Sequence, residues 1–111
     1  MLIGGLGADK LDGGSSDDIL IGGTTIYDDQ LGLAGKILSE WKRTDLGYST
    51  RVSHVTKGGG LNGTWALSPK TVFGTTQFHD SVTGGGGTDL FFKASGDVLT
   101  DKSSGETAVL I

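Results

Sequence analysis

The sequence predicts a mainly β fold: a short parallel solenoid, an inserted pair of helices, and a C-terminal return to the solenoid. Three observations predict it. Glycine pairs begin at Gly4, Gly13 and Gly22 and leucines fall at Leu2, Leu11 and Leu20, a spacing of nine residues. That period suits neither a helix at 3.6 nor a strand at 2, but it suits a coil whose half-turn is one glycine turn plus one short strand. Apolar residues then switch to helical spacing between residues 31 and 55, and from Gly84 the nine-residue pattern resumes as Gly-Gly-Gly-Gly-Thr-Asp-Leu-Phe-Phe.

Within each nine-residue unit, the paired glycines permit a sharp turn and leave their carbonyls free to face inward. Asp9 and Asp18 follow the third small residue and point back into the same turn. Carbonyl and carboxylate oxygens are what calcium needs, at about six to eight ligands per ion. The x-apolar-x triplet that follows sends one side chain inward, so Leu2, Leu11 and Leu20 are expected to stack as a ladder. A flexible Gly/Asp/Ser linker would have the same composition, but it has no reason to keep glycine, aspartate and leucine each in phase.

Gly4–Asp12 reads Gly-Gly-Leu-Gly-Ala-Asp-Lys-Leu-Asp, and Gly13–Ile21 repeats it with Ser16 for the third glycine. These units resemble the hemolysin-type calcium-binding nonapeptide, the RTX repeat. The unit begun at Gly22 is degenerate, with Tyr27 at the acidic position and Asp28 one place late. The resemblance implies a parallel β-roll in which two nonapeptides make one coil and calcium lies between turns stacked on the same side. It implies metal ligands among Gly5, Gly7 and Asp9, Gly14, Ser16 and Asp18, Gly23 and Asp28, Gly85, Gly87 and Asp89, and Asp97. The Gly4 turn should stack on the Gly22 turn. The Gly13 turn has no evident partner, and a homodimer or homo-oligomer joined through exposed roll ends is expected to complete it.

From Asp28 the nine-residue phase breaks. Leu31, Ala34, Leu38 and Trp41 lie on one helical stripe with Ile37 beside it, and Lys36, Glu40 and Lys42 face away. Asp28 or Asp29 is the expected cap. A second helix is expected over Gly47–Val55, capped by Asp45 or Ser49, with Tyr48, Val52 and Val55 inward. Lys57–Gly63 reads as a loop, and Thr64–Leu67 and Thr71–Phe73 as strands around Ser68-Pro69. Asn62-Gly63-Thr64 is formally a glycosylation sequon and is read as a turn. Asp80 and Val82 sit one period before Asp89 and Phe91, although Thr75–His79 lacks the glycines. Asp97 and Leu99 recur after eight residues, and Thr107–Ile111 is a final strand. The organisation is a single module of 111 residues, with repeats over 1–29, a helical insert over 30–57, and loop, strands and second repeat block over 58–111.

Hydrophobic residues make up 35% of the chain and 21 residues are glycine, so metal is expected to assist folding. Residues 1–29 carry six acids against Lys10, whereas the rest is nearly balanced. Negative charge concentrated on the repeats excludes a nucleic-acid surface. There is no cysteine, no basic leader and no long apolar run, so disulfides, a cleaved signal peptide and a membrane span are not expected. The resemblance extends to the C-terminal ends of large secreted bacterial proteins, carried by the repeats, Ile37-Leu-Ser-Glu-Trp41, Tyr48-Ser-Thr-Arg-Val52 and the late Thr83–Phe92 block. It implies a secreted, calcium-dependent structural module, with Glu106–Ile111 similar to an export signal. The reading from another class is a small glycosidase using the roll as scaffold, for which Glu40, Asp45, Asp80 and Glu106 are the candidate acids. A triad from His54 or His79 with Ser81 and Asp80 lacks a nucleophile-elbow motif. Exposed Trp41 or Trp65 would favour a polysaccharide-binding module.

Overall fold

The computed structural model describes residues 1–111 and divides them into two compact units, Met1–Thr24 with Val72–Ile111, and Thr25–Thr71. In the first unit, seven short strands form two parallel sheets. One has the order β1 (Leu2–Ile3), β3 (Ile19–Ile21), β7 (Leu90–Lys93), β9 (Thr107–Leu110). The other has the order β2 (Lys10–Asp12), β6 (Ser81–Thr83), β8 (Val98–Leu99). Successive strands thus alternate between sheets. The remaining strands, β4 (Thr24–Thr25) and β5 (Val72–Phe73), pair with each other.

Register follows the nine-residue phase. Leu2 lies opposite Leu20, which lies opposite Phe91, and Phe91 opposite Ala108. Leu11 lies opposite Val82, and Val82 opposite Leu99. The single leucine ladder expected from the sequence is therefore two ladders, one per sheet. They meet in a core of Leu11, Leu20, Val82 and Phe91, with Leu2 and Leu99 against it. A fully buried side chain of this kind contributes roughly 1.5–3 kcal/mol. The sheets differ outside that core. Lys10, Asp12, Ser81 and Thr83 flank the inward residues of one, whereas Ile19, Ile21, Leu90 and Phe92 are also buried in the other.

The second unit is built on α1 (Leu31–Trp41) and α2 (Tyr48–Lys57). Both lie close to where periodicity puts them, but neither start is capped by a side chain. Gln30 and Gly47 stand at the N-caps in place of Asp28 or Asp29 and of Asp45 or Ser49. Ile37, Trp41, Val55 and Leu67 are buried, joined by Tyr27, whose hydroxyl donates to the Ala66 carbonyl at 3.0 Å. Trp41 packs edge-on against Tyr48 and under the Arg51 guanidinium. Leu31, expected on the inward stripe, is 81% exposed.

Glu40 is the larger correction. Helical spacing places it outward, yet it is fully buried. Its Oε1 accepts from Leu61 N at 2.7 Å and Arg43 Nη1 at 3.1 Å, and Oε2 is 2.9 Å from His54 Nδ1. Donors on three sides outweigh the cost of burying the charge. Thr64–Leu67 is not a strand, because its amides bond locally: Trp65 N to Asn62 O, Ala66 N to the Tyr27 hydroxyl and Leu67 N to Val55 O. Asn62 is buried and spends its amide on His54 O and Trp65 O, so the formal sequon offers no acceptor nitrogen. Trp65 is 40% exposed, whereas Trp41 is buried and presents no ring to a sugar. No helix is long and apolar enough to cross a membrane.

Candidate metal centre

Because strands alternate between sheets, the turns that join them fall on two edges of the first unit. The turns ending at Asp9, Asp80 and Asp97 lead into β2, β6 and β8. Those ending at Asp18, Asp89 and Glu106 lead into β3, β7 and β9. On the first edge Gly4 N donates to Ile21 O and Gly5 N to Gly23 O, at 2.9 and 2.8 Å, so the Gly4 turn does stack on Gly22-Gly23. On the second edge the partner of the Gly13 turn is the Gly84 turn of the same chain. Gly86 N donates to Gly14 O at 2.8 Å, Ser16 N to Gly86 O at 3.2 Å, and Thr88 N to Asp17 Oδ1 at 2.8 Å. No second copy is needed to complete that pair of turns.

The acids form a ladder along each edge. On the first, Asp9 N donates to Asp80 Oδ1 at 2.8 Å and Asp80 N to Asp97 Oδ1 at 2.9 Å. On the second, Asp18 N donates to Asp89 Oδ1 at 2.8 Å and Asp89 N to Glu106 Oε1 at 3.1 Å. Asp80, Asp97, Asp89 and Glu106 each so fix the turn before them, through a charge-assisted bond. The ends of the ladders differ. Asp97 Oδ2 accepts from Ala94 N and Glu106 Oε2 from Ser103 N, so the last acids spend both oxygens on backbone. Asp9 Oδ2 and Asp18 Oδ2 are instead buried with no hydrogen-bond partner.

A buried carboxylate oxygen without a donor is costly, and a cation would satisfy it. Burial disfavours the charged form of the neighbouring acids as well. Burial raises the pKa of Asp18, with the Asp17 charge adding to it. Burial also raises Asp80, against the opposing Asp9 amide and with the charges of Asp97 and Asp9 adding. Asp89 is pushed up to about 6, first by burial and then by Glu106 and Asp18, against the opposing Asp18 amide. No three acidic or histidine side chains converge on one point. An ion held here would draw much of its shell from turn carbonyls, which is compatible with calcium. The glycine positions supply the required backbone: φ is +93° and +109° at Gly5 and Gly7, +87° at Gly14, and +87° and +97° at Gly85 and Gly87. Ser16 occupies the same left-handed conformation at +115°, the one non-glycine residue to do so.

A family model of the RTX calcium-binding nonapeptide repeat matches the chain in four copies, over residues 1–24 and 75–97. These are RTX repeats. No curated protein and no solved structure matches the chain. The matched segments contain Asp9, Asp18, Asp80, Asp89 and Asp97, and RTX repeats of this description bind calcium.

Of the residues expected to hold metal, Gly5, Gly7, Asp9 and Gly23 gather on the first edge and Gly14, Ser16, Asp18, Gly85, Gly87 and Asp89 on the second. Asp97 lies on the first edge with both oxygens committed to backbone amides. Asp28 is exposed, and its Oδ1 accepts from Thr25 N and Thr25 Oγ1 at 3.1 and 2.6 Å. Sequence reasoning overlooked Asp101, which receives Gly84 N and Gly85 N at 2.8 Å each, and counted Asp17 only as one of the clustered charges, not as the acceptor of Thr88 N. Neither holds the repeat's acidic position, so the pattern gives no signal for them. The four candidate catalytic acids are likewise placed: Glu40 is buried among its donors, Asp45 is paired with Arg43 at 2.6 Å, and Asp80 and Glu106 belong to the ladders.

Proposed function

We propose that this chain is a calcium-binding β-roll module, in which the two parallel sheets are the faces of one coil and calcium lies between stacked turns. The observation that carries the reading is the buried, donor-less Asp18 Oδ2 at the point where the Gly13 turn stacks on the Gly84 turn. Asp18 and Asp89, with the Gly14, Ser16, Gly85 and Gly87 backbone, are the residues that would hold the ion there, and Asp9 is the corresponding acid on the first edge. The ion supplies positive charge to carboxylates that burial otherwise disfavours. The whole chain acts as one module, the repeats forming the roll and the helical unit carried within it.

Function follows from linkage. Calcium that binds the stacked turns and not the open chain stabilises the fold by RT ln(1 + [Ca]/Kd), about 2.7 kcal/mol per site at a hundredfold excess over Kd. At the low calcium of a cell interior the acids repel one another and the glycine-rich chain stays open. At extracellular calcium it closes, which suits the structural C-terminal part of a secreted protein. Self-association through the roll end belongs to the same reading, since β9 has no neighbour on its outer side and Leu110 is 64% exposed.

The test is circular dichroism and thermal melting of chelator-treated protein as calcium is added, with magnesium as control. A calcium-specific gain of β signal and a melting temperature raised by roughly ten degrees or more are expected. An unchanged melt overturns the proposal.

A further inference from the structure

The repeat begun at Gly22 has no acid at its expected place, and the structure supplies one from far along the chain. In each regular repeat the first glycine packs on the acid of its own repeat. A β-carbon on Gly4 would lie 3.0 Å from Asp9 Oδ2, one on Gly13 would lie 2.9 Å from Asp18 Oδ2, and Gly84 meets Asp89 Oδ2 in the same way. A β-carbon on Gly22 would lie 2.8 Å from Asp80 Oδ2 and 3.0 Å from Asp97 Oδ2, the latter already accepting from Ala94 N. Asp80 then leads into β6 as Asp9 leads into β2, with Val82 in register with Leu11. Gly23 packs against the Phe73 carbonyl, so the two halves of the turn meet backbone to backbone.

A cavity of about 150 Å³ opens at this junction, lined by Gly5, Gly7, Gly22, Gly23, Thr24 and Asp80 among others. That is several times the roughly 30 Å³ share of one water, enough for a partly hydrated ion. Asp80 lines the cavity and is only 5% exposed, its Oδ1 is committed to Asp9 N, and its Oδ2 lies beside Gly22.

We propose that the third nonapeptide is split, begun by Gly22-Gly23 and completed by Asp80–Thr83, and that this split turn with the Gly4–Asp9 turn forms a second divalent-cation site. This rests on the calcium reading above and adds the acid that serves the first edge, Asp80 rather than Asp28. Binding there ties Gly22-Gly23 to the Gly74–Asp80 segment within the repeat unit.

The experiment is calorimetric titration of calcium into chelator-stripped full-length protein, its Asp80→Asn and Asp28→Asn variants, and Asp18→Asn for the other edge. Asparagine keeps the Oδ1 acceptor for Asp9 N and removes the charge. Two sites are expected in the wild type and in Asp28→Asn, and the loss of one, or at least a tenfold weakening of it, in Asp80→Asn. Wild-type stoichiometry and affinity in Asp80→Asn overturn the split site while leaving the second-edge site standing, with Asp18→Asn as its own control. No calcium heat in the wild type sinks the underlying reading instead. Hydrogen exchange of the wild type is independent of any variant's folding. Calcium is expected to protect Gly22–Thr24 and Gly74–Asp80 together, and protection confined to the Gly13 and Gly84 turns overturns the proposal.

Discussion

Gly14 and Gly85 offer a matched pair that isolates the stacking of turns on the second edge. Both have φ of +87°, so an alanine at either meets the same backbone cost. A left-handed conformation costs an L-residue about 1–2 kcal/mol, offset in part by the lower entropy of alanine in the unfolded chain. Their surroundings differ. A β-carbon on Gly14 would meet nothing within 4 Å, whereas one on Gly85 would fall on the Gly14 carbonyl. To relieve that overlap the turns must separate, breaking Gly86 N to Gly14 O and Ser16 N to Gly86 O. At about 1 kcal/mol net per bond, Gly85→Ala is expected to cost about 2 kcal/mol more than Gly14→Ala. Urea unfolding in saturating calcium, followed by circular dichroism, reads this as a midpoint difference of about 1 M. Equal midpoints for the two variants would refute the stacking of the Gly13 turn on the Gly84 turn.

Three further outcomes are expected. Ser16→Gly relieves a φ of +115° and should stabilise the protein by about 1 kcal/mol, a rise of several degrees in melting temperature. In chelator, the protein should become more stable as pH falls from 7 to 5. The folded pKa of Asp89, about 6, lies above its unfolded value of 3.8, so the folded state binds the extra proton in that window and stability is lost as pH rises through it, by about 1 kcal/mol between pH 5 and 7. Saturating calcium should abolish or reverse this slope, because the ion displaces the proton, and paired melts at pH 5 and 7 decide it. Glu40→Ala removes the anion that holds Leu61 N, Arg43 and His54, and should destabilise the helical unit by about 3 kcal/mol or more. Loss of the near-ultraviolet signal of Trp41 at a lower denaturant concentration is the readout, and a change below about 1 kcal/mol would count against that role.

The strands were legible because their inward residues share one phase: Leu11, Leu20, Val82 and Phe91 are each the centre of an x-apolar-x triplet. Asp9, Asp18, Asp80 and Asp89 share that phase, whereas Glu106 and Asp101 do not hold the repeat's acidic position and gave no such signal. The stacking of the Gly4 turn on Gly22-Gly23 followed from the period, but the partner of the Gly13 turn did not, since it lies beyond a 47-residue unit and a local period carries no information about contacts at that range. Glu40 was misread because helical periodicity sorts residues by polarity, and a buried carboxylate satisfied by three donors is invisible to it. Thr64–Leu67 has the composition of a strand, but the Tyr27 hydroxyl and the Val55 carbonyl claim its amides first. Leu31 sits on the apolar stripe at the first turn of α1, yet it remains exposed, and stripe membership did not predict that.

The ladder bonds Asp9 to Asp80 and Asp18 to Asp89 each join residues 71 apart in sequence, and that separation bears on the speed of folding. Of the intervening residues, the 47 of Thr25–Thr71 form a compact unit whose ends lie side by side, with Ile26 N bonded to Thr71 O at 3.0 Å. When that unit forms first, the flexible length left to close is about 24 residues rather than 71. By the logarithmic cost of loop closure this saves about 1 kcal/mol, roughly a fivefold gain in the chance of encounter. The helical unit thus shortens the search between the two blocks of repeats, and slowing its formation should delay the pairing of β2 with β6 and of β3 with β7.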